Sequence, residues 1–206
     1  MPSNVAAVKQ INRENVLKFV YPQRSTTQKA IKDALHLSRS TIIQILKEFE
    51  DKNLIIKRGH LESTGGRRAS NLYFSRYSKI AIGVELLVDS YEIVALDLYG
   101  ETIKYERFDL LYENTDCYYE TVCRSVQALI HSLTLDSNKI LGVGIVLQGL
   151  ISNDGTQVTY GKILGCTGLR VDAFTRYLPY RCQFFHDAEA ATLDELWQSP
   201  GLTNAI

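Results

Sequence analysis

The chain has 206 residues, 45% of them hydrophobic, and its 23 Lys+Arg balance 23 Asp+Glu for a formal net charge of zero at pH 7; this suits a globular, soluble protein of one large domain or two ordinary ones. The zero conceals a division, because residues 1–79 hold 15 Lys+Arg against 6 Asp+Glu and residues 80–206 hold 8 against 17. No apolar run reaches membrane-spanning length, and Lys9, Arg13, Glu14 and Lys18 interrupt the opening stretch, which excludes a signal-peptide core and makes the cytoplasm the expected location, with no membrane partner.

A basic segment joined to an acidic one points to a polyanion as partner of the first alone, with DNA or RNA the leading candidates. In chain order, Val16, Leu17, Phe19 and Val20 predict a first helix over Asn12–Tyr21 that ends at Pro22. Thr27 is the expected N-cap of a short second helix with Ala30, Ile31, Ala34 and Leu35 as its apolar stripe. After His36 and Leu37, Ser38 is placed to cap a third helix, whose Ile42, Ile45, Leu46 and Phe49 recur at the spacing of a buried face.

The other face of that third helix carries Arg39, Ser40, Thr41 and Gln44, side chains able to donate to and accept from base edges. Two short helices joined by a tight turn, the second polar in its first turns, match the geometry that enters a major groove of double-stranded DNA; the alternative is a three-helix domain with a solvated face. A strand over Leu54–Arg58, a tip through Gly65 and Gly66, and a returning strand around Asn71–Ser75 then read as a wing. The glycines permit a tight turn, and Arg67 and Arg68 beside them are placed to reach phosphates or a minor groove.

From Lys79 the pattern becomes that of strands, Ile80–Val88, Tyr91–Leu98 and Thr102–Leu110, in a meander. A helix over Thr115–Leu133, a buried strand over Ile140–Leu147, a helix near Leu169–Leu178, a strand over Arg181–Phe185 and a helix over Ala188–Trp197 follow. The predicted domains are therefore residues 1–77 and 78–206. Cys117, Cys123, Cys166 and Cys182 form no CxxC pair and have no nearby histidine, so buried free thiols are expected, with no metal and no cofactor.

Four segments carry a resemblance: STGGRRAS at Ser63–Ser70, IGVELLVDSYEIVALDLYGE at Ile82–Glu101, LGVGIVLQGLI at Leu141–Ile151 and FHDAEAATLDELW at Phe185–Trp197. Together they resemble the ROK family, which groups sugar-responsive bacterial repressors with sugar kinases, and within it the repressor branch with an N-terminal winged helix. The resemblance implies an α/β fold with an N-terminal winged helix-turn-helix, an actin-like, ribonuclease-H-like first lobe and a second lobe here truncated; the chain is expected to be a fragment, since its final TNAI reads as the entry to a strand, with a natural short form as the alternative. It further implies DNA binding, sensing of a sugar or sugar phosphate, repression of carbohydrate-related genes, and a homodimer.

Departures from the family pattern refine that expectation. Kinases of the family carry an Asp-x-Gly-Gly-Thr phosphate loop, and the matching residues here are Glu85, Leu86, Leu87, Val88 and Asp89. Without glycine the backbone cannot approach a polyphosphate closely, and Asp89 adds a like charge, so no nucleotide and no catalysis are expected. His186-Asp187 stands where relatives have Asn-Asp, and the match makes Asp187 an acceptor for sugar hydroxyls, beside the alternative that it only caps the last helix. His186 has the same two readings, ligand donor or donor to a nearby carbonyl. Gly149 matches a Pro-Gly turn with Gln148 in place of proline and is expected to allow close ligand approach, while Lys162-Ile163 replaces a Pro-Asn pair. The competing functions are a sugar kinase with an appended helical domain and a protein-interaction scaffold.

Overall fold

The computed structural model describes residues 4–60, 70–134 and 136–198. The chain forms two compact units, Met1–Ser78 and Lys79–Ile206.

In the first unit α1 (Asn4–Gln23), α2 (Gln28–Leu35) and α3 (Arg39–Asp51) accompany a sheet of β1 (Ser25–Thr26), β2 (Ile55–His60) and β3 (Ser70–Phe74). The sheet is antiparallel in the order β1-β3-β2. Both expected caps form: Thr27 Oγ1 accepts the Ala30 N–H at 3.2 Å and Ser38 Oγ accepts the Thr41 N–H at 3.1 Å, each satisfying a donor that the first helical turn leaves without a partner. Between the helices His36 takes the left-handed conformation, with φ 52°, which turns the chain sharply into α3. Val16, Val20, Ile31, Ile42, Ile45, Leu46, Phe49, Ile55 and Leu72 form the core.

Helix α1 begins eight residues before its predicted start, and Pro22 lies inside its last turn. Apolar spacing reports only a buried side, and Val8 and Ile11 are exposed at 51% and 54%, so the early turns give no such signal. A Gln10–Glu14 side-chain hydrogen bond spans those turns at 2.9 Å. Strand β1 also lies below sequence detection, because its two residues are defined by pairing with Leu72 and Tyr73 of β3 rather than by any pattern of their own.

The second unit is built on a five-stranded sheet of β4 (Ile80–Leu86), β5 (Ser90–Leu96), β6 (Thr102–Asp109), β7 (Ile140–Leu147) and β10 (Cys182–His186) in the order β10-β7-β4-β5-β6. The β4–β5 and β5–β6 pairs are antiparallel, and β4–β7 and β7–β10 are parallel. Alternate residues Ile80, Ile82, Val84 and Leu86 of β4 are buried together with Tyr91, Ile93, Val143, Ile145 and Leu147, in one core with Tyr119, Val122, Val126, Leu129 and Ile130 of α4 (Asp116–Ser132). Gly142 is required in β7, since a Cβ there would stand 2.8 Å from the Arg181 carbonyl oxygen.

Between β7 and β10 the chain departs from expectation twice. A short antiparallel hairpin, β8 (Leu150–Ile151) with β9 (Val158–Tyr160), is not legible in the sequence because neither strand is long enough to show a period. The predicted Leu169–Leu178 helix shrinks to α5 (Asp172–Thr175). Val158 N–H donates to Leu169 O and Val171 N–H to Thr156 O, both at 2.9 Å, so Leu169–Val171 lies along the hairpin. Its buried Leu169, Val171, Phe174 and Leu178 therefore mimic helical spacing with a segment that is helical only in part. Helix α6 (Asp187–Gln198) closes the described chain.

All four cysteines are free, but Cys117 is exposed, contrary to expectation, at the solvated start of α4; Cys123, Cys166 and Cys182 are buried. Burial pushes the Cys123 thiol up to about 12 and the Cys182 thiol to about 11. Among the described residues no helix is long and apolar enough to cross a membrane, and no His/Cys/Asp/Glu group could hold a metal ion.

Candidate functional site

Each unit presents a candidate surface. In the first, burying Ile42, Ile45, Leu46 and Phe49 turns the opposite face of α3 outward, with Arg39, Ser40 and Gln44 exposed and Thr41 half-buried. Ser38 Oγ lies 2.9 Å from Ser40 Oγ and 2.8 Å from Thr41 Oγ1. Both hydroxyls are thus engaged at the cap, while Arg39 and Gln44 extend from it. Sequence reasoning missed Ile43, 45% exposed, and the exposed Lys47, which continue the stripe at the i, i+3, i+4, i+7 spacing from Ser40.

The helix is fixed from behind by Glu48, which accepts from Arg13 Nε of α1 at 2.8 Å and from Lys52 Nζ at 2.9 Å. Hydrogen bonds from Lys52 and then Arg13 hold the Glu48 carboxyl below the usual glutamate range. Gly65, Gly66, Arg67 and Arg68, expected at the tip between β2 and β3, lie outside the described residues.

In the second unit a cavity of about 360 Å³ opens where β7 and β10 end. Ligand clefts in open α/β sheets favour this edge, where strand C-termini release the chain into loops. The cavity is lined by Gln148, Gly149, Leu150, Tyr160, Lys162, Ile163, His186 and Asp187, which brings the three residues singled out in the sequence, Gly149, His186 and Asp187, into one place. Gly149 has an additional constraint: a Cβ there would meet the Tyr160 carbonyl oxygen at 2.7 Å. Its missing side chain lets the β8–β9 hairpin close on itself.

Asp187 opens α6, and its Oδ1 accepts the Ala188 N–H at 2.8 Å. His186 Nδ1 lies 3.1 Å from the same N–H and 2.9 Å from Asp187 Oδ1. Nδ1 is thereby engaged, which leaves Nε2 as the ring nitrogen able to meet a ligand, and Asp187 Oδ2 as the second carboxylate acceptor.

The turn that follows β4 is tight. Leu87 N–H donates to Ser90 O at 3.0 Å, Tyr112 N–H donates to Val88 O at 2.9 Å, and Ser90 Oγ donates to Asp89 Oδ1 at 2.9 Å. A cavity of about 330 Å³ there is lined by Leu86, Leu87, Val88, Asp89, Gln148, Ile163 and Leu164, none of them cationic. Glu85, at the end of β4, shares a third cavity with Glu92, Asp187 and Asp194. Burial, then the like charges of Glu92 and Asp187, raises the Glu85 carboxyl above its ordinary value.

No family model matches the chain. Curated proteins do: a putative xylose repressor of Caldicellulosiruptor sp. is 27% identical over 155 residues, covering 74% of this chain and 39% of the relative. The DNA-binding transcriptional dual regulator NagC of Escherichia coli is 23% identical over 194 residues, covering 93% of this chain and 48% of the relative. The chain is a relative of the ROK repressors. A solved ROK family transcriptional regulator, a homologue of the E. coli Mlc protein, shares the fold with a TM-score of 0.69 at 20% identity, over 96% of this chain and 51% of that one. The chain thus spans about four-tenths to one-half of the length of these relatives. The alignment with NagC covers enough of the chain to include residues of both units.

Proposed function

We propose that this relative of the ROK repressors is itself a sugar-responsive transcriptional repressor of carbohydrate-related genes. In this reading residues 1–77 are a winged helix-turn-helix that binds double-stranded DNA, and residues 78–206 are an actin-like, ribonuclease-H-like sensor lobe. The observation that carries the reading is the outward face of α3, where Arg39, Gln44, Ile43 and Lys47 project from a basic unit. Polar side chains on such a face can read base edges, an exposed aliphatic one can meet a thymine methyl, and a lysine can meet a phosphate. Arg67 and Arg68 add phosphate or minor-groove contacts. A two-fold homodimer would place two such helices about one DNA turn, or a multiple of one, apart, which favours a palindromic operator.

Sensing falls to Gly149, His186 and Asp187, where Asp187 Oδ2 and His186 Nε2 offer an acceptor and a donor to neighbouring hydroxyls. The tight turn after β4, where Leu87 N–H donates to Ser90 O and which has Leu87, Val88 and Asp89 in place of glycines, supports a sensor that does not phosphorylate its sugar. The test is to select genomic DNA with the full chain and measure its affinity for the selected sequence and for a shuffled one, with and without sugars. Specific binding that a sugar weakens supports the reading, whereas equal affinity for both sequences overturns it. Replacing Arg67 and Arg68 with alanine should lower the salt slope of binding by about 0.9 for each phosphate that these arginines neutralise.

A further inference from the structure

Two cavities of the second unit share a wall that a lone sugar leaves half used. The one lined by His186 and Asp187 and the one of about 330 Å³ beside the turn after β4 have Gln148 and Ile163 in common. Their chemistry differs. The first holds an imidazole, a carboxylate and a lysine, whereas the second offers Leu86, Leu87, Val88, Ile163 and Leu164, and its one charged side chain, Asp89, already accepts from Ser90 Oγ at 2.9 Å. Leu87 N–H donates to Ser90 O and Val88 O accepts from Tyr112 N–H, so these backbone groups are taken before any ligand arrives. Val88 and Ile163 are nonetheless 52% and 62% exposed. Single exposed aliphatic residues are ordinary on a protein surface, but several that converge on one concavity mark a place for apolar matter.

We propose that the effector is a glycoside with an apolar aglycone rather than a free sugar, its sugar ring in the cavity of His186 and Asp187 and its aglycone lying across Ile163 onto Val88 and Leu87. The inference rests on the sensing role proposed above for Asp187 and His186. The shared wall argues for one ligand that occupies both cavities, because a group linked to the ring meets Ile163 on leaving the first and enters the second without crossing solvent. Gln148, at the same junction, carries an amide N–H able to donate to the linking oxygen. A second sugar ring on that side would exchange hydrogen bonds to water for a largely aliphatic wall, which costs free energy, whereas an apolar group loses no such bonds and removes aliphatic surface from water.

Calorimetric titration of the full chain tests this with xylose, glucose and N-acetylglucosamine, the methyl and phenyl β-glycosides of each, the disaccharides xylobiose, cellobiose and chitobiose, and phenol alone. At least one phenyl glycoside should bind about tenfold or more tightly than its methyl counterpart, and Ile163→Ser and Val88→Thr, both at exposed positions, should each lower that ratio. Equal affinity for methyl and phenyl glycosides, or a ratio untouched by both substitutions, overturns the inference and leaves the sugar-sensing reading intact. A disaccharide that binds as tightly as the phenyl glycoside overturns it as well, since the second cavity would then accept hydroxyls, and so does phenol binding as tightly, since the apolar group would then need no sugar. Sedimentation of the same samples checks the other occupant: self-association that Ile163→Ser abolishes would seat a second copy of the chain on this face and overturn the inference. If neither sugars nor glycosides bind, the sensing reading fails and the inference fails with it.

Discussion

The first unit offers its partner an outward helix face, and the second offers its ligand a concavity at the ends of strands. On α3, recognition groups are free because their own helix buries the opposite stripe, so exposure follows from Ile42, Ile45, Leu46 and Phe49 packing inward. In the second unit the groups come from the turns after β7 and β9 and from the start of α6, far apart in sequence, and only the fold brings Gly149, Lys162 and Asp187 together. A surface that meets a long polyanion needs spacing along one element and a favourable field. A cavity for a small polyol needs several elements in register and a mixture of donors and acceptors.

The largest effect expected from breaking one side of this contrast comes from Leu46→Ala. The side chain is 1% exposed, and truncation should cost the first unit about 2–5 kcal/mol. Chemical denaturation followed together with DNA and ligand titrations should show DNA binding abolished while sugar binding in the second unit persists. Arg39→Ala and Gln44→Ala sharpen the comparison without unfolding: each should lose about 1–3 kcal/mol of discrimination between selected and shuffled DNA where it reads a base, measured by fluorescence anisotropy. Ser40→Ala and Thr41→Ala should have smaller effects, because their hydroxyls are held at the Ser38 cap.

Ser38→Ala removes that cap and should cost about 1 kcal/mol of stability in the first unit, read from its denaturation midpoint. The smallest effect belongs to Glu85 in the acidic unit. Its carboxyl is raised above the ordinary glutamate value of 4.5, so its contribution is most favourable in acid and is lost as pH rises through the folded value. Glu85→Gln should therefore stabilise the second unit at about pH 7 and lose that advantage near pH 4, as thermal melts at the two pH values would show.

The contrast also explains how much of the molecule is legible in its sequence. Thr27, Ser38 and the stripe on α3 act within a few residues of themselves, so their roles are written locally. Gly149 and His186-Asp187 emerge only through the resemblance to a family, since nothing in their own neighbourhoods says that they meet. Lys162 stands out in the sequence only as a replacement, and its place in the cavity depends on the β8–β9 hairpin that the pattern does not reveal. Helix α5 is shorter than its pattern predicts for a related reason: backbone pairing to Thr156 and Val158 overrides a spacing that looks helical.

Helix α6 buries little of its surface over residues 188–196. The side chains of residues 188–196 are all exposed or half-buried, Leu193 at 50%. Little apolar burial holds residues 188–196 in place, so their amides should exchange with solvent more readily than those of the strands beneath them. Its first residue is Asp187, and a hydroxyl bound at that carboxylate would lend order to the turn that follows. By linkage, a ligand that slows α6 exchange must bind more tightly to any variant in which α6 is already firm, so the helix sets part of the affinity of a site that it only begins.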